Sequence, residues 1–215
     1  PLYSSAASDV YKRQQMPNGF GLNGNISTTQ TLIVKQPGSC TLYYIFSMPS
    51  NACINDPTDG LRYSIVDLSQ QSGLGDVTTK NILLKARVTE KVTATLHEDS
   101  CNVWIVAHEV DTDLFVSYLL TSTGLVTTPV NSNVGIIHSE GLLGFGSIGQ
   151  MKISPDSKKL ALATYINNAP TTTNFCEILD FDNQTGLLSN PITLTEAKYA
   201  TAYGVEFSPD ASRLY

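Results

Sequence analysis

The sequence lacks the basic surface and the long apolar runs that would mark several common classes of protein. Lys and Arg number 13 against 19 Asp and Glu, which gives a formal charge of -6 and a pI near 4.9. This balance argues against nucleic acid as a partner, because nucleic-acid binding needs clustered positive charge. No apolar run reaches the roughly 18 residues that a membrane-spanning helix needs, so we expect no membrane insertion.

Cysteine is also scarce, with only Cys40, Cys53, Cys101 and Cys176 in the chain. No C-x-x-C pair occurs, which removes the usual zinc and redox patterns. We mainly expect free thiols that are buried or have no chemical role. A Cys40–Cys53 disulfide in a secreted protein is the alternative that stays open. We expect neither a metal nor another cofactor.

The first residues, PLYSSAASDVYKRQ, have no Met start and no charged-then-apolar export pattern. Asp9 to Gln14 resembles one reading frame of a transposon-end adapter used in sequencing libraries. We therefore interpret residues 1–14 as an adapter artefact, disordered in the protein, and residues 15–30 as a leader segment. Any export signal would then lie upstream of this sequence.

From Thr31 onward the apolar residues form short runs rich in Val, Ile, Leu, Tyr and Thr. Clusters of Gly, Pro, Asn, Asp and Ser separate these runs, which is the pattern of strands joined by turns. No window sustains an apolar stripe at helical spacing with caps at its ends. The sequence therefore predicts an all-β protein.

Turn motifs repeat along the chain. Residues 152–162 read KISPDSKKLAL and residues 206–215 read EFSPDASRLY. In both phrases Pro presets the second position of a tight turn and Asp can bind nearby amides, so each predicts a hairpin. Gly-Leu pairs mark three more hairpins after the predicted strands Arg62 to Leu68, Phe115 to Leu120 and Glu177 to Phe181. Their glycines are Gly73, Gly124 and Gly186.

These motifs recur at a loose period of roughly 50–60 residues, which is the signature of a repeat architecture. Four strands per unit at this period favour a β-propeller over a sandwich, because a sandwich has no reason to repeat its turns. The predicted units cover residues 31–88, 91–137, 150–196 and 203–215. We thus expect a partial β-propeller, with about three four-stranded blades and the start of a fourth, in a truncated fragment.

The phrasing of the repeats resembles a group of surface propellers, the WD-repeat-like or YVTN-like modules of gliding-motility-associated, type IX-secreted proteins of Bacteroidota. The residues that carry the resemblance are LYYIF at 42–46, GLRYSIVDL at 60–68, GDVTTKNILL at 75–84, TEKV at 89–92, NVWIVAHE at 102–109, 154–163 and YGVEFSPDASRLY at 203–215. The family's turns usually read SPDG, whereas Ser157 and Ala211 stand at the Gly position here. The resemblance implies a secreted or cell-surface location, a carboxy-terminal sorting domain further on, and no catalytic residues.

Three polar stretches, residues 49–59, 108–113 and 138–149, are candidates for ligand-contact loops, because loops at strand ends often carry binding residues. The side chains singled out as possible contacts are His108, Glu109, Asp111, Asp113, His138, Glu140 and Phe145. Trp104, the only Trp, is expected in the core rather than on a sugar-binding surface.

Other short motifs are explained by local structure. GFGSIG at 144–149 matches the dinucleotide fingerprint, but QMKISP follows it and predicts a strand and a turn instead of the required helix. His108-Glu109 has no second His at helical spacing and is interpreted as a polar pair at the rim of a strand. The pairs Asp111/Asp113 and Asp180/Asp182 have the spacing of calcium ligands, yet turn chemistry accounts for them.

Two functions stay open. The first is a non-catalytic module that binds protein or glycan at the cell surface through its rim loops. The second is a propeller hydrolase of lactonase or glycosidase type, with catalytic residues at the central channel.

Overall fold

The computed structural model describes residues 8–9, 14–24, 31–48, 59–138, 146–164, 175–194 and 202–215. These residues are almost entirely β-strands and turns, which confirms the predicted all-β class. The only helical element in these ranges is α1 (Gln70–Gly73), a single turn in which Gln71 and Ser72 have φ of 52° and 57°. In the described part of the chain, no helix has the length and apolarity needed to cross a membrane.

Three antiparallel sheets account for most of the structure. The first sheet contains β3 (Thr31–Lys35), β4 (Leu42–Ser47), β5 (Gly60–Asp67) and β6 (Asp76–Ala86). The second contains β7 (Val88–Leu96), β8 (Val103–Glu109), β9 (Leu114–Thr121), β10 (Gly124–Leu125) and β11 (Val130–Asn133). The third contains β12 (Met151–Ile153), β13 (Lys159–Thr164), β14 (Phe175–Asp182) and β15 (Leu187–Leu194).

Each sheet is a meander, since neighbouring strands follow one another in the chain. In the second sheet β10 and β11 both pair with β9, so the fourth position is shared by two short strands. The first strand of the second sheet, β7, lies beside the first strands of the other two, β3 and β12. The three sheets therefore meet along their first strands.

The first and second sheets pack together through an apolar layer, called here the sheet 1–2 contact. Alternating residues of β4, Tyr44 and Phe46, face this layer from the first sheet, and Ile105 and Ala107 of β8 face it from the second. Strand alternation sends every second side chain to the same face, so the intervening residues face the other way. Each of the two sheets can therefore pack against a neighbour on both of its faces.

The second and third sheets pack through another layer, called here the sheet 2–3 contact. Trp104 and Val106 of β8 face Leu160 and Leu162 of β13 across this layer. The Trp104 indole N–H donates to the Asn183 carbonyl at 2.9 Å, in the turn between β14 and β15. This confirms that Trp104 belongs to the core.

The outer faces of the stack are covered in part, and Ile33 and Ile192 on them are 63% and 58% exposed. Met16 and Leu22, from the segment predicted as a leader, pack on the far side of the first sheet. On the far side of the third sheet, Val205 and Phe207 pack against alanines of β13. Phe207 pairs with Leu214 in a short antiparallel hairpin. Near the amino terminus, β1 (Ser8–Asp9) pairs with β2 (Gln14–Gln15).

The two SPD phrases form the same turn, as predicted. The backbone amide of Ser157 donates to the Ser154 carbonyl at 2.8 Å, and Ala211 donates to Ser208 at 2.9 Å. The Ser154 and Ser208 hydroxyls each donate to the following Asp carboxylate at 2.6 Å. Ser157 and Ala211 have φ of 60° and 57°, the left-handed region that the usual Gly would occupy without strain.

The predicted Gly-Leu turns also have the expected backbone. Gly73, Gly124 and Gly186 have φ of 88°, 119° and 77°. At Gly186 the packing adds a second requirement, because a Cβ atom there would lie 2.8 Å from the Trp104 ring. Only glycine fits this turn beside the indole.

Candidate functional site

Four ionisable side chains are fully buried at one end of the sheet 2–3 contact. They are Lys91 of β7, His108 of β8, His138 after β11 and Glu177 of β14, each with 0% exposure. We call these four residues the buried polar cluster. Ionisable side chains of these types are rarely buried completely without close partners, so their contacts require explanation.

The two histidines stack on each other. Their ring centroids are 3.7 Å apart with an interplanar angle of 18°, and the Phe115 ring meets His108 edge-on at 4.4 Å. None of the four ring nitrogens has a hydrogen-bond partner in the described structure. Burial lowers the pKa of both imidazoles well below the usual range. The His138 ring and the Lys91 charge lower the pKa of His108 further, against an opposing contact with the Glu109 backbone, and Lys91 also lowers the pKa of His138. Both rings are therefore neutral at pH 7.

Lys91 is held by backbone carbonyls. Its ammonium donates to the carbonyl oxygens of Ser147 at 2.8 Å and Gly146 at 3.3 Å. The amide of Glu90 also donates to the Ser147 carbonyl, at 3.2 Å. Close by, a Cβ at Gly149 would lie 2.1 Å from the Ala163 carbonyl, so only glycine allows this approach to β13. The segment 146–149 is thereby fixed between β7 and β13.

Glu177 has one partnered and one unpartnered oxygen. Its Oε1 accepts from the Ile136 amide at 3.1 Å and from the Thr193 hydroxyl at 3.0 Å. Its Oε2 has no hydrogen-bond partner in the described structure and lies 4.0 Å from His138 Nε2. Burial raises the pKa of this carboxyl, although the two hydrogen bonds counteract the effect.

The cluster combines a buried acid, two neutral imidazoles and an ammonium, which are the groups of general acid–base chemistry. Catalysis requires contact with a substrate atom, however, and all four side chains are closed off from solvent. The described residues contain no group of three or more His, Cys, Asp or Glu arranged to hold a metal ion. The buried polar cluster therefore offers no open binding surface.

Comparison with known proteins adds little to this description. No protein-family model matches the chain, and no curated protein matches it. Among solved structures, the chain is similar to hydrazine synthase of Kuenenia stuttgartiensis, with 16% sequence identity and a TM-score of 0.45. The similarity covers 89% of this chain and 42% of the hydrazine synthase chain, so this chain spans less than half of that protein. A likeness at this level supports no statement about function.

Three of the sequence-predicted contact residues lie at the same end of the second sheet, near its surface. Glu109 forms an ion pair with Lys85 at 2.9 Å, and Asp111 forms one with Arg87 at 2.9 Å. Asp113 accepts a hydrogen bond from the Asn133 side chain at 2.9 Å. These carboxylates are within reach of a partner, and their role as contacts stays a prediction.

The histidine predictions need correction. The sequence suggests exposed rim positions for His108 and His138, whereas both side chains are completely buried. The reason is strand alternation: His108 follows Trp104 and Val106 on the face of β8 that packs against the third sheet. Glu140 and Phe145 lie outside the described residues, as does nearly all of the predicted loop 49–59.

The GFGSIG motif does not begin a helix. Its described part, residues 146–149, is a turn that leads into β12, as the sequence predicts. The expectation of an exposed rim loop is wrong for this part, because Gly146 and Ser147 are buried against Lys91. Residues 139–145 lie outside the described ranges.

The paired aspartates are occupied by local contacts. Asp180 pairs with Lys159 and accepts a hydrogen bond from Asn190 at 2.8 Å. Asp182 caps the β14–β15 turn by accepting from the Gln184 amide at 2.9 Å and the Thr185 hydroxyl at 2.8 Å. The turn chemistry expected from the sequence therefore explains Asp182, whereas Asp180 is held by partners on the two neighbouring strands.

Sequence reasoning missed Lys91 and Glu177. Both stand inside strands: Glu177 has apolar neighbours in FCEIL, and Lys91 follows Glu90 in VTEKV. A strand covered on both faces should read as a nearly continuous apolar run, so a charge within it is a signal of a buried polar site.

Proposed function

We propose that the chain is a β-propeller module of a secreted or cell-surface bacterial protein, and that it binds a protein or glycan through exposed loops without catalysis. The observation that carries the proposal is the arrangement of the sheets. Each sheet is a separate meander, and β3, β7 and β12, the first strands of the three sheets, lie next to one another. In a propeller, the first strand of every blade lines the axis.

The covering of the sheets supports the same architecture. A sandwich joins two sheets whose strands alternate between them, so each sheet has one solvent-facing side. Here the second sheet packs on the first through one face and on the third through the other. The hairpin that joins Phe207 to Leu214 packs on the third sheet and would begin the next blade.

The acidic hairpin between β8 and β9 is the best described candidate for a binding loop. Its carboxylates, Asp111 and Asp113, stand at the surface and are held by Arg87 and Asn133. Fixed, oriented carboxylates can accept hydrogen bonds from sugar hydroxyls or pair with basic side chains of a protein. Export by a type IX route remains part of the proposal and derives from the family resemblance.

The geometry of the described residues supports a hydrolase less well than a binding module. Glycosidases use two carboxylates that flank an accessible bond, separated by roughly 5–10 Å. Within the described residues, the cluster that brings a carboxyl together with imidazoles is the buried polar cluster, which solvent does not reach, and the surface carboxylates Glu109, Asp111 and Asp113 have basic or amide partners. A binding function does not depend on solvent access to the buried polar cluster.

Binding can be tested with an oligosaccharide array and with purified bacterial surface proteins applied to the immobilised chain. The informative variant is Asp111→Asn combined with Asp113→Asn, and the control is Glu98→Gln at the opposite end of β8. We expect the double variant to bind several-fold more weakly and the control to bind like the wild type. Hydrolysis of lactones or aryl glycosides that a single acid substitution abolishes would contradict the proposal and support the hydrolase.

A further inference from the structure

The chain has three histidines, and two of them form the core of the buried polar cluster. Such an arrangement is unusual because an imidazole normally donates or accepts at least one hydrogen bond when it is buried. The stacked rings of His108 and His138 have no such partner in the described structure. Their contact is held by ring packing, with Phe115 against one ring and Phe175 5.6 Å from the other.

The groups that face these rings determine what an added proton would do. From β7 comes the Lys91 ammonium, with Glu90 next to it in the strand, and from β14 comes the Glu177 carboxyl. From β9 the Phe115 ring faces the pair, and it does not titrate. Two protonated rings and Lys91 would place three positive charges in a buried layer, where the Glu177 carboxyl lies 4.0 Å from His138.

We propose that the stacked pair of His108 and His138 makes the sheet 2–3 contact sensitive to acid. While both rings are neutral, they pack as aromatic side chains and hold the second sheet against the third. When acid protonates them, the rings repel each other and Lys91, and this end of the contact opens to water. The proposal depends only on the packing of two sheets and is independent of the proposed binding function.

The direction of the pH effect follows from linkage. Because the folded pKa of each ring lies below its ordinary value near 6.5, the unfolded chain binds more protons than the folded chain below that pH. The stabilisation that the two neutral rings give the folded chain is therefore complete above about pH 6.5, and it is lost as the pH falls below that value. Between pH 7.5 and 5.5 each ring can raise the unfolding constant by at most about tenfold, and both together by at most about 100-fold, the limits reached when neither ring takes up a proton in the folded chain.

Glu177 acts in the opposite direction. Burial raises its pKa, so the folded chain keeps this proton at a higher pH than the unfolded chain does, and acid adds stability through this group. The wild type should therefore show less than the full 100-fold change. Asp67 and Asp210 do not contribute in this window: hydrogen bonds from Gln70 and Ser208 lower their pKa to about 2, and the ordinary Asp value is about 3.9, so both stay ionised from pH 7.5 to 5.5 in either state.

The test is urea unfolding of the full chain at pH 7.5 and 5.5, followed by the fluorescence of Trp104, which lies in the same contact. We expect the wild-type unfolding constant to rise at least threefold at pH 5.5, and Glu177→Gln to show a larger rise. His108→Phe combined with His138→Phe should remove most of the dependence. The matched control is His97→Gln, which changes the one histidine outside the cluster and should leave the dependence intact.

A second measurement keeps the proposal testable if the double variant fails to fold. The imidazole Hε1 signals of the wild type can be followed by NMR, with the His97 signal assigned by its loss in His97→Gln. We expect the other two signals to keep their neutral positions down to pH 5.5 in the folded chain. Movement of these signals between pH 7.5 and 5.5, or a wild-type unfolding constant that changes less than threefold, would overturn the proposal.

Discussion

The second sheet packs against its two neighbours in different ways. Towards the first sheet it presents aliphatic and aromatic side chains, and Phe46 stacks there beside Tyr44 with ring centroids 6.1 Å apart. Towards the third sheet, the layer is apolar around Trp104 and polar around His108. Both contacts are buried, but only the second one encloses imidazoles and a carboxyl, whose protonation differs between the folded and the unfolded chain.

This difference arises within a single strand. Along β8 the odd positions, Ile105 and Ala107, face the first sheet, and the even positions Trp104, Val106 and His108 face the third. Apolar burial contributes about 25 cal/mol per Å² at any pH, whereas a buried ionisable group contributes a term that changes with its protonation. One contact should therefore resist acid, and the other should respond to it.

The largest effect is expected from Phe46→Ala in the sheet 1–2 contact. Phe46 is fully buried, and removal of a buried Phe ring costs about 3–5 kcal/mol of unfolding free energy. No histidine faces this contact, so the loss should be the same at pH 7.5 and 5.5 when measured by urea unfolding. The control is Ile33→Ala, at a position that is 63% exposed, where little change is expected.

A loss from Phe46→Ala that grows in acid would contradict the comparison, because it would mean that the two contacts share their pH dependence. A loss near that of Ile33→Ala would show that the sheet 1–2 contact contributes little to folding.

The next largest effect concerns the apolar half of the sheet 2–3 contact. Gly186→Ala would place a Cβ 2.8 Å from the Trp104 ring at a φ of 77°, and overpacking plus backbone strain should cost about 2–4 kcal/mol. Gly73→Ala is the matched control, since φ is 88° there and no atom lies within 4 Å of the added Cβ. It should cost only the backbone strain of about 1–2 kcal/mol.

Chemical denaturation followed by circular dichroism measures both glycine variants on the same scale. The difference between the two losses in unfolding free energy gives the cost of the close contact between the turn at Gly186 and the Trp104 indole. Equal losses would mean that the Trp104 side of the contact adapts freely, and that rigid packing is confined to the sheet 1–2 contact.

Much of the fold can be predicted from local chemistry. The strand Phe115 to Leu120 lies within β9 and Glu177 to Phe181 within β14, because alternation and turn residues are encoded in neighbouring positions. The boundaries between the repeat units are harder to predict from the sequence. The strand β7, which belongs to the second sheet, begins at Val88, inside the range predicted for the first unit. The backbone leaves β6 and enters β7 after one residue, Arg87, with no Gly or Pro to mark the break.

The candidate site could not be predicted in the same way. His108 and His138 come from different parts of the chain, and His138 meets Glu177 only because the third sheet packs on the second. A histidine at the end of a strand looks the same in sequence whether it faces water or a neighbouring sheet. The charged residues within β7 and β14 are the available signal, and they indicate burial without identifying the partners.

The smallest effect distinguishes the two SPD turns and concerns the sheet 2–3 contact again. Ala211→Gly removes left-handed strain and should stabilise the chain by about 0.5–1 kcal/mol, after the entropic cost of glycine. Ser157→Gly relieves the same strain but also deletes the 2.6 Å hydrogen bond between Ser157 and Thr95 of β7, worth about 0.5–1.5 kcal/mol. We therefore expect a gain in urea midpoint for Ala211→Gly and little or no gain for Ser157→Gly. Equal gains would show that the hydrogen bond to Thr95 adds nothing to the contact between these two sheets.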